Sequence, residues 1–305
     1  MYAPSAGIPA TVFSRVPDKY RRKVRTAWAD ANRAGEPVDC FLEGPSFDRA
    51  GHLYVTDIPF GRVFRVAPDG EWTLVTEYDG WPNGLKIHRD GRIFITDYKR
   101  GIMQLDPGSG RVTPLIETVR SESFKGVNDL VFARNGDLYF TDQGQTGLHD
   151  PTGRVYRYTA AGRLDLLVDT VPSPNGLVPN LGETQLYVGV TRGNAVWRLP
   201  LFDDGSVSKV GLFIQLSGGL AGPDGMALDA EGGLIVAQPG MTVWRFDRVG
   251  RPTHHVEPQG ECFVTNIAFG GPTGASLFMT DSGAGRILRA EMPVAGKPMF
   301  SHSLP

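Results

Sequence analysis

The chain has 305 residues, 41% of them hydrophobic, with 39 glycines and 23 prolines for tight turns; this allows one large all-β domain or two ordinary ones. Its 31 basic and 33 acidic residues leave a net charge of -2, so no global positive field exists to hold a phosphate backbone and nucleic acid is excluded as an expected partner. Met1 to Pro17 lacks a cationic start followed by a long apolar core, and no later stretch approaches the roughly eighteen apolar residues of a membrane span, so a cytoplasmic protein with no membrane partner is expected.

Residues 1–40 read as an N-terminal extension. Thr11 to Val16 alternates weakly and predicts a strand that pairs with the last repeat and closes a ring. Tyr20, Val24, Ala27, Trp28 and Ala31 recur at helical spacing and predict an amphipathic helix over Pro17 to Ala34. Its basic side, Lys19, Arg21, Arg22, Lys23 and Arg25, reads as a solvated face in preference to a site for an acidic partner. Cys40 and Cys262 precede the first and last repeats; a disulfide between them is conceivable in a closed ring, and two small thiols in a reducing compartment is the reading preferred here.

From residue 41 the chain repeats. Glu43 (E-G-P-S-F-D), Asn83 (P-N-G-L-K-I), Asn128 (V-N-D-L-V-F), Asn175 (P-N-G-L-V-P), Asp224 (P-D-G-M-A-L) and Asn266 (T-N-I-A-F-G) stand 40, 45, 47, 49 and 42 residues apart. About ten residues after each comes a second strand, as in G-H-L-Y-V-T-D (Gly51 to Asp57), G-R-I-F-I-T-D (Gly91 to Asp97) and G-D-L-Y-F-T-D (Gly136 to Asp142), closed on the first by a turn such as Arg134-Asn135-Gly136. Third strands follow, for example Arg154 to Tyr158 and Arg286 to Ala290, and weaker fourth strands, for example Trp72 to Thr76. The expected fold is all-β, a six-bladed β-propeller with four-stranded blades over residues 41–305.

If each marker opens the innermost strand of a blade, all six converge on the axis. They are not hairpin turns, because each repeat's turn lies several residues downstream and Glu43-Gly44-Pro45 holds the same phase without being a turn dipeptide. Asn83 and Asn266 fit equally a role in binding and a role in holding water around an axial channel. Glu43, Asn128, Asn175 and Asp224 offer two carboxylates and two amide carbonyls, with neither His nor Cys at the aligned positions. Such hard oxygen donors suit calcium, or another hard divalent ion, far better than zinc.

Blade by blade from Cys40 to Ala290, the chain resembles the regucalcin (senescence marker protein) and gluconolactonase family of six-bladed propeller lactonases. The resemblance implies that Glu43 in its E-G-P start, Asn175 in N-G-L and Asp224 in P-D-G-M hold calcium. It implies that Asn128, beside Asp129, binds substrate or joins the metal shell. One departure is that members of that family place an arginine shortly before the N-D pair, whereas the approach here is Phe124-Lys125-Gly126-Val127, with Lys125 in its place. The implied activity is hydrolysis of a sugar-type lactone, gluconolactonase-like, by metal-activated water. Asp224 is the expected general base and Glu43 the second carboxylate, with Asn128 and Asn175 orienting substrate and stabilising the oxyanion. Substrate contacts are expected from Asn128, Lys125, Asn83, Tyr98, His149 and Asn266, with Gln143, Arg192, Gln238 and Ser282 on loops of the same face. The partner expected is a small-molecule lactone, and the protein a monomer or small homo-oligomer. Alternatives are a calcium-dependent phosphotriesterase like diisopropyl fluorophosphatase and a non-catalytic calcium-binding propeller. No G-x-S-x-G, H-E-x-x-H, P-loop or G-x-G-x-x-G is present.

Overall fold

A computed structural model describes residues 4–303; the first three residues of the 1–40 extension and the last two of the 41–305 unit lie outside the described residues. Alternating runs fold as antiparallel meanders. The first repeat comprises Leu42–Phe47, Leu53–Asp57, Arg62–Val66 and Trp72–Glu77, and the second Pro82–Ile87, Ile93–Asp97, Gly101–Leu105 and Val112–Ile116. The third comprises Val127–Phe132, Leu138–Asp142, Gly153–Tyr158 and Leu164–Val171, and the fourth Pro174–Pro179, Gln185–Val190, Ala195–Pro200 and Gly211–Gln215. Each of these four is a separate four-stranded sheet, ordered as in sequence.

The expected count of six four-stranded blades is corrected by the remaining strands, which form one continuous eight-stranded sheet. Its order is Met226–Leu228, Leu234–Gln238, Thr242–Phe246, Pro252–Pro258, Ala6–Arg15, Arg286–Glu291, Ser276–Asp281 and Val264–Gly270. The N-terminal strand Ala6–Arg15 is the cause: it pairs parallel with Pro252–Pro258, from Ala6 opposite His254, and antiparallel with Arg286–Glu291, from Ala10 opposite Ala290. One strand thus satisfies two edges that would otherwise be open to other chains. The all-β propeller architecture holds with four discrete blades.

The helix expected over Pro17 to Ala34 is also corrected. Only Ala27–Asn32 is α-helical, capped by Thr26, whose side chain accepts from the Ala29 N–H at 3.1 Å; Asp18–Tyr20 is a 3-10 turn. Tertiary contacts override the periodicity. The Arg21 guanidinium donates to Asp39 Oδ2 at 3.0 and 2.8 Å and to the Ala284 carbonyl at 2.9 Å, while Val24 exchanges two 3.0 Å backbone hydrogen bonds with Val38. Cys40 and Cys262 are both free thiols, Cys40 buried and Cys262 half-buried.

The first strand of each repeat packs against the first strand of the next, and Val264–Gly270 returns to Leu42–Phe47. The apolar seams between repeats are continuous, as where Val55 and Phe64 of the first repeat meet Phe278 and Ile287 beside Phe13 and Val16. A glycine follows four of the markers because neighbouring backbones approach too closely for a side chain. A Cβ on Gly44 would stand 2.5 Å from the Asn83 carbonyl oxygen, and one on Gly84 2.6 Å from Asp129 Oδ1 and 2.8 Å from Asp129 Cα. Gly84→Ala should therefore lower stability by about 1–3 kcal/mol, the range for overpacking. A thermal melt superimposable on the parent's would show that the ring has slack at this point.

Candidate active site

The Thr-Asp pairs that end the second strands hold the markers in place. Three of the threonines reach the next repeat: Thr56 Oγ1 donates to the Asn83 carbonyl at 2.6 Å and Thr141 Oγ1 to the Asn175 carbonyl at 2.9 Å, and Thr96 Oγ1 donates to that of Asn128. Three of the aspartates fix the segment leading into their own marker. Asp57 accepts the Phe41 N–H at 2.8 Å, Asp142 that of Gly126 at 2.8 Å and Asp281 that of Phe263 at 2.9 Å. Third-strand arginines face these buried carboxylates, Arg62 on Asp57 and Arg286 on Asp281.

At the markers the ladders shift by one residue, between Glu43 and Ser46, Pro82 and Leu85, Val127 and Leu130, and Pro174 and Leu177. These bulges re-aim the marker side chains. Glu43 is buried; its Oε2 accepts from the Gly44 N–H at 2.9 Å and from Asn266 Nδ2 at 2.8 Å. Asn266 Nδ2 also stands 3.5 Å from Asp129 Oδ2, so one amide of the last repeat bridges carboxylates of the first and third. Burial pushes the Glu43 carboxyl up to about 7, with the negative charge of Asp129 adding to it, against hydrogen bonds from Thr265, Gly44 and Asn266. Asp224 is raised well above the ordinary carboxylate range by its enclosure, then by the charges of Glu43 and Asp129. The Asn175 amide and the Arg192 guanidinium oppose that rise.

Glu43, Asn266, Asp129, Asn175 and Asp224 therefore form one electrostatic unit. Asn128 Nδ2 donates to Gln143 Oε1 at 2.8 Å, and Gln143 Nε2 to Ser173 Oγ at 3.0 Å, which fixes the Asn128 amide plane. Asn83 is buried in the same ring. Asn266, expected among the substrate contacts, instead ties the ring together, because both its amide hydrogens face carboxylates and its Oδ1 accepts the Ile267 N–H at 2.8 Å. Asp129 is absent from the residues expected at the site; the signal for it was the third repeat's two successive polar residues.

Of the loop residues, Lys125 is exposed on the segment before Asn128, and Tyr98 is half-buried, its hydroxyl accepting from Gln145 Nε2 at 2.9 Å. His149 is exposed beside Gly147 and Arg192. Gln238 and Ser282, expected at the pocket, are buried inside the wall. Gln238 Oε1 accepts from Trp244 Nε1 at 2.9 Å, and Ser282 Oγ donates to the Leu42 carbonyl at 2.6 Å.

The donor set fits a hard divalent cation on one specific observation. Asn175 Oδ1 is buried without a hydrogen-bond partner among the described residues, beside the Asp224 carboxylate it influences. An orphaned carbonyl oxygen costs about 1–3 kcal/mol unless something positive faces it. Among the described residues no group of three or more His, Cys, Asp or Glu is placed to hold a metal, so the fit depends on the amide oxygens. An apolar cavity of ≈ 100 Å³ lies elsewhere, at the far ends of the inner strands between Phe132, Met226, Phe269 and Phe300, and lacks carboxylates.

Residues 41–283 match the family model described as the SMP-30/gluconolactonase/LRE-like region. The lactonase drp35 of Staphylococcus aureus (strain MRSA252) is 31% identical over 223 residues, 69% of this chain and 68% of the relative. The gluconolactonase of Zymomonas mobilis subsp. mobilis is 31% identical over 281 residues, 79% of this chain and 76% of the relative. In fold, the calcium-binding protein regucalcin from Agrobacterium tumefaciens superposes with a TM-score of 0.76 at 22% identity, covering 99% of this chain and 100% of the other.

Proposed function

Since the chain belongs to the SMP-30/gluconolactonase/LRE-like family, we propose that it is a lactone hydrolase whose site is the axial cluster of Glu43, Asn128, Asn175 and Asp224, with calcium as the cofactor. The observation that carries this reading is the orphaned Asn175 Oδ1 next to the Asp224 carboxylate, which also feels the charges of Glu43 and Asp129. The lactonase and gluconolactonase named among its relatives support the reaction class.

A bound cation would supply Lewis-acid polarisation of the lactone carbonyl. The residues of the chain do the rest. Asp224 holds the attacking water and takes its proton. The water oxygen bonds to the acyl carbon, the ring C–O bond breaks, and the departing alkoxide recovers the proton from Asp224 to give a hydroxy acid. Asn128, locked by Gln143, orients the ring; Glu43, locked by Gly44 and Asn266, supplies fixed negative charge.

The test is titration of released acid from a set of lactones with chelated and calcium-loaded protein. Hydrolysis should require calcium. Faster turnover of an organophosphate triester than of every lactone would sink the proposal.

A further inference from the structure

The polar floor of the site is bordered on one side by an apolar crescent. In the first, second and last repeats the residues just before the marker are aromatic: Phe41, Trp81 and Phe263, all half-buried. The short helix fills in behind them. Trp28 packs on Phe41 with ring centroids 4.7 Å apart, Trp81 joins the cluster around Trp28 and Ile58, and the Arg33 guanidinium lies 5.3 Å from the Phe41 ring and 5.7 Å from that of Phe263. Tyr98, 5.9 Å from Trp81, extends the crescent toward the third repeat.

A second observation is independent of the first. Among the described residues the two most exposed large apolar side chains, Leu220 at 83% and Leu148 at 72%, both stand on loops of this face. Leu148 lies in the loop after the second strand of the third repeat, and Leu220 packs beside Gly240 in the loop after that of the fifth. Two of the side chains that could grip ring hydroxyls are already engaged, Gln143 on Asn128 and Ser173 and Gln145 on Tyr98, which leaves Lys125 and His149 exposed on this face. A polyhydroxylated ring would leave hydroxyls unpaired against this rim, whereas an alkyl or aryl group would bury on it.

Resting on the lactone-hydrolase reading, we propose that the substrate is a lactone whose ring carries an apolar substituent, which lies across Trp81 and Phe41 while the ester reaches the axial cluster. This replaces the sugar-type lactone implied by the family resemblance. The expected preference is on the order of fourfold for each methylene fully buried.

The experiment compares kcat/KM for γ-nonanolactone, γ-butyrolactone and glucono-δ-lactone, with binding of pentylcyclopentanone, a ketone that cannot be hydrolysed, followed by tryptophan fluorescence. We expect γ-nonanolactone to exceed γ-butyrolactone by about tenfold or more, a total of less than two fully buried methylenes. Trp81→Ala should collapse that ratio, and Trp81→Phe should restore most of it; Phe263→Ala, further from the helix cluster, checks the crescent should Trp81→Ala fold poorly. Equal efficiencies for the two γ-lactones, or a higher value for the hydroxylated ring, would overturn the rim proposal and leave the hydrolase reading standing. Absence of all lactone turnover together with Trp81-dependent binding of the ketone would do the reverse. Loss of both turnover and binding would overturn both.

Discussion

Asp224→Asn should lower lactone turnover by at least about a hundredfold, the lower end of what a positioned general base contributes. The same substitution should raise the melting temperature of the chelated protein, because it removes one carboxylate from a cluster in which Glu43, Asp129 and Asp224 repel one another in an enclosed space. Activity and stability thus move in opposite directions. A damaged fold cannot produce that pair of results. Turnover near the parent's with calcium in excess would remove Asp224 from the role of base.

Stability should also depend on pH in a direction that calcium reverses. Glu43 binds a proton more tightly in the folded chain, where its pKa rises from 4.5 to about 7, and Asp224 is displaced the same way. The penalty on folding is therefore complete above the raised values and fades as the pH falls toward the unfolded ones. In chelator the melting temperature should climb as the pH is lowered from about 8 to about 5. Saturating calcium favours the ionised carboxylates, so the gain it produces should be largest at the alkaline end; at a hundred times Kd it amounts to about 2.7 kcal/mol. Parallel pH profiles with and without calcium would count against a cation at these carboxylates.

Much of the architecture was legible because it is local. Each second strand alternates within a handful of residues, each turn carries its own Gly or Asn, and the six markers keep one phase relative to them. The two glutamate and aspartate markers and their asparagine companions could be picked out because polar residues repeated at the start of apolar strands need a partner that no single repeat provides. The helix was overestimated for the converse reason: Tyr20, Val24 and Trp28 share a helical face on paper, yet Arg21 is drawn to Asp39 and Val24 to Val38. Gln238 and Ser282 read as loop polar groups and turn out to satisfy Trp244 and Leu42 inside the wall.

The amino-acid sequence by itself determined the repeated antiparallel meanders, the set of oxygen donors at their first strands and the absence of competing catalytic motifs. Periodicity and turn chemistry are properties of neighbouring residues. Only the tertiary structure decided that Ala6–Arg15 joins two repeats into one eight-stranded sheet, that Asn266 ties Glu43 to Asp129, and that bulges turn the markers together. Those outcomes depend on competition for hydrogen-bond partners far apart in the chain, as Ala6 with His254 and Asn266 with Glu43. Backbone edges and buried carboxylates take whichever partner the closed ring brings within reach, and local sequence carries no record of that choice.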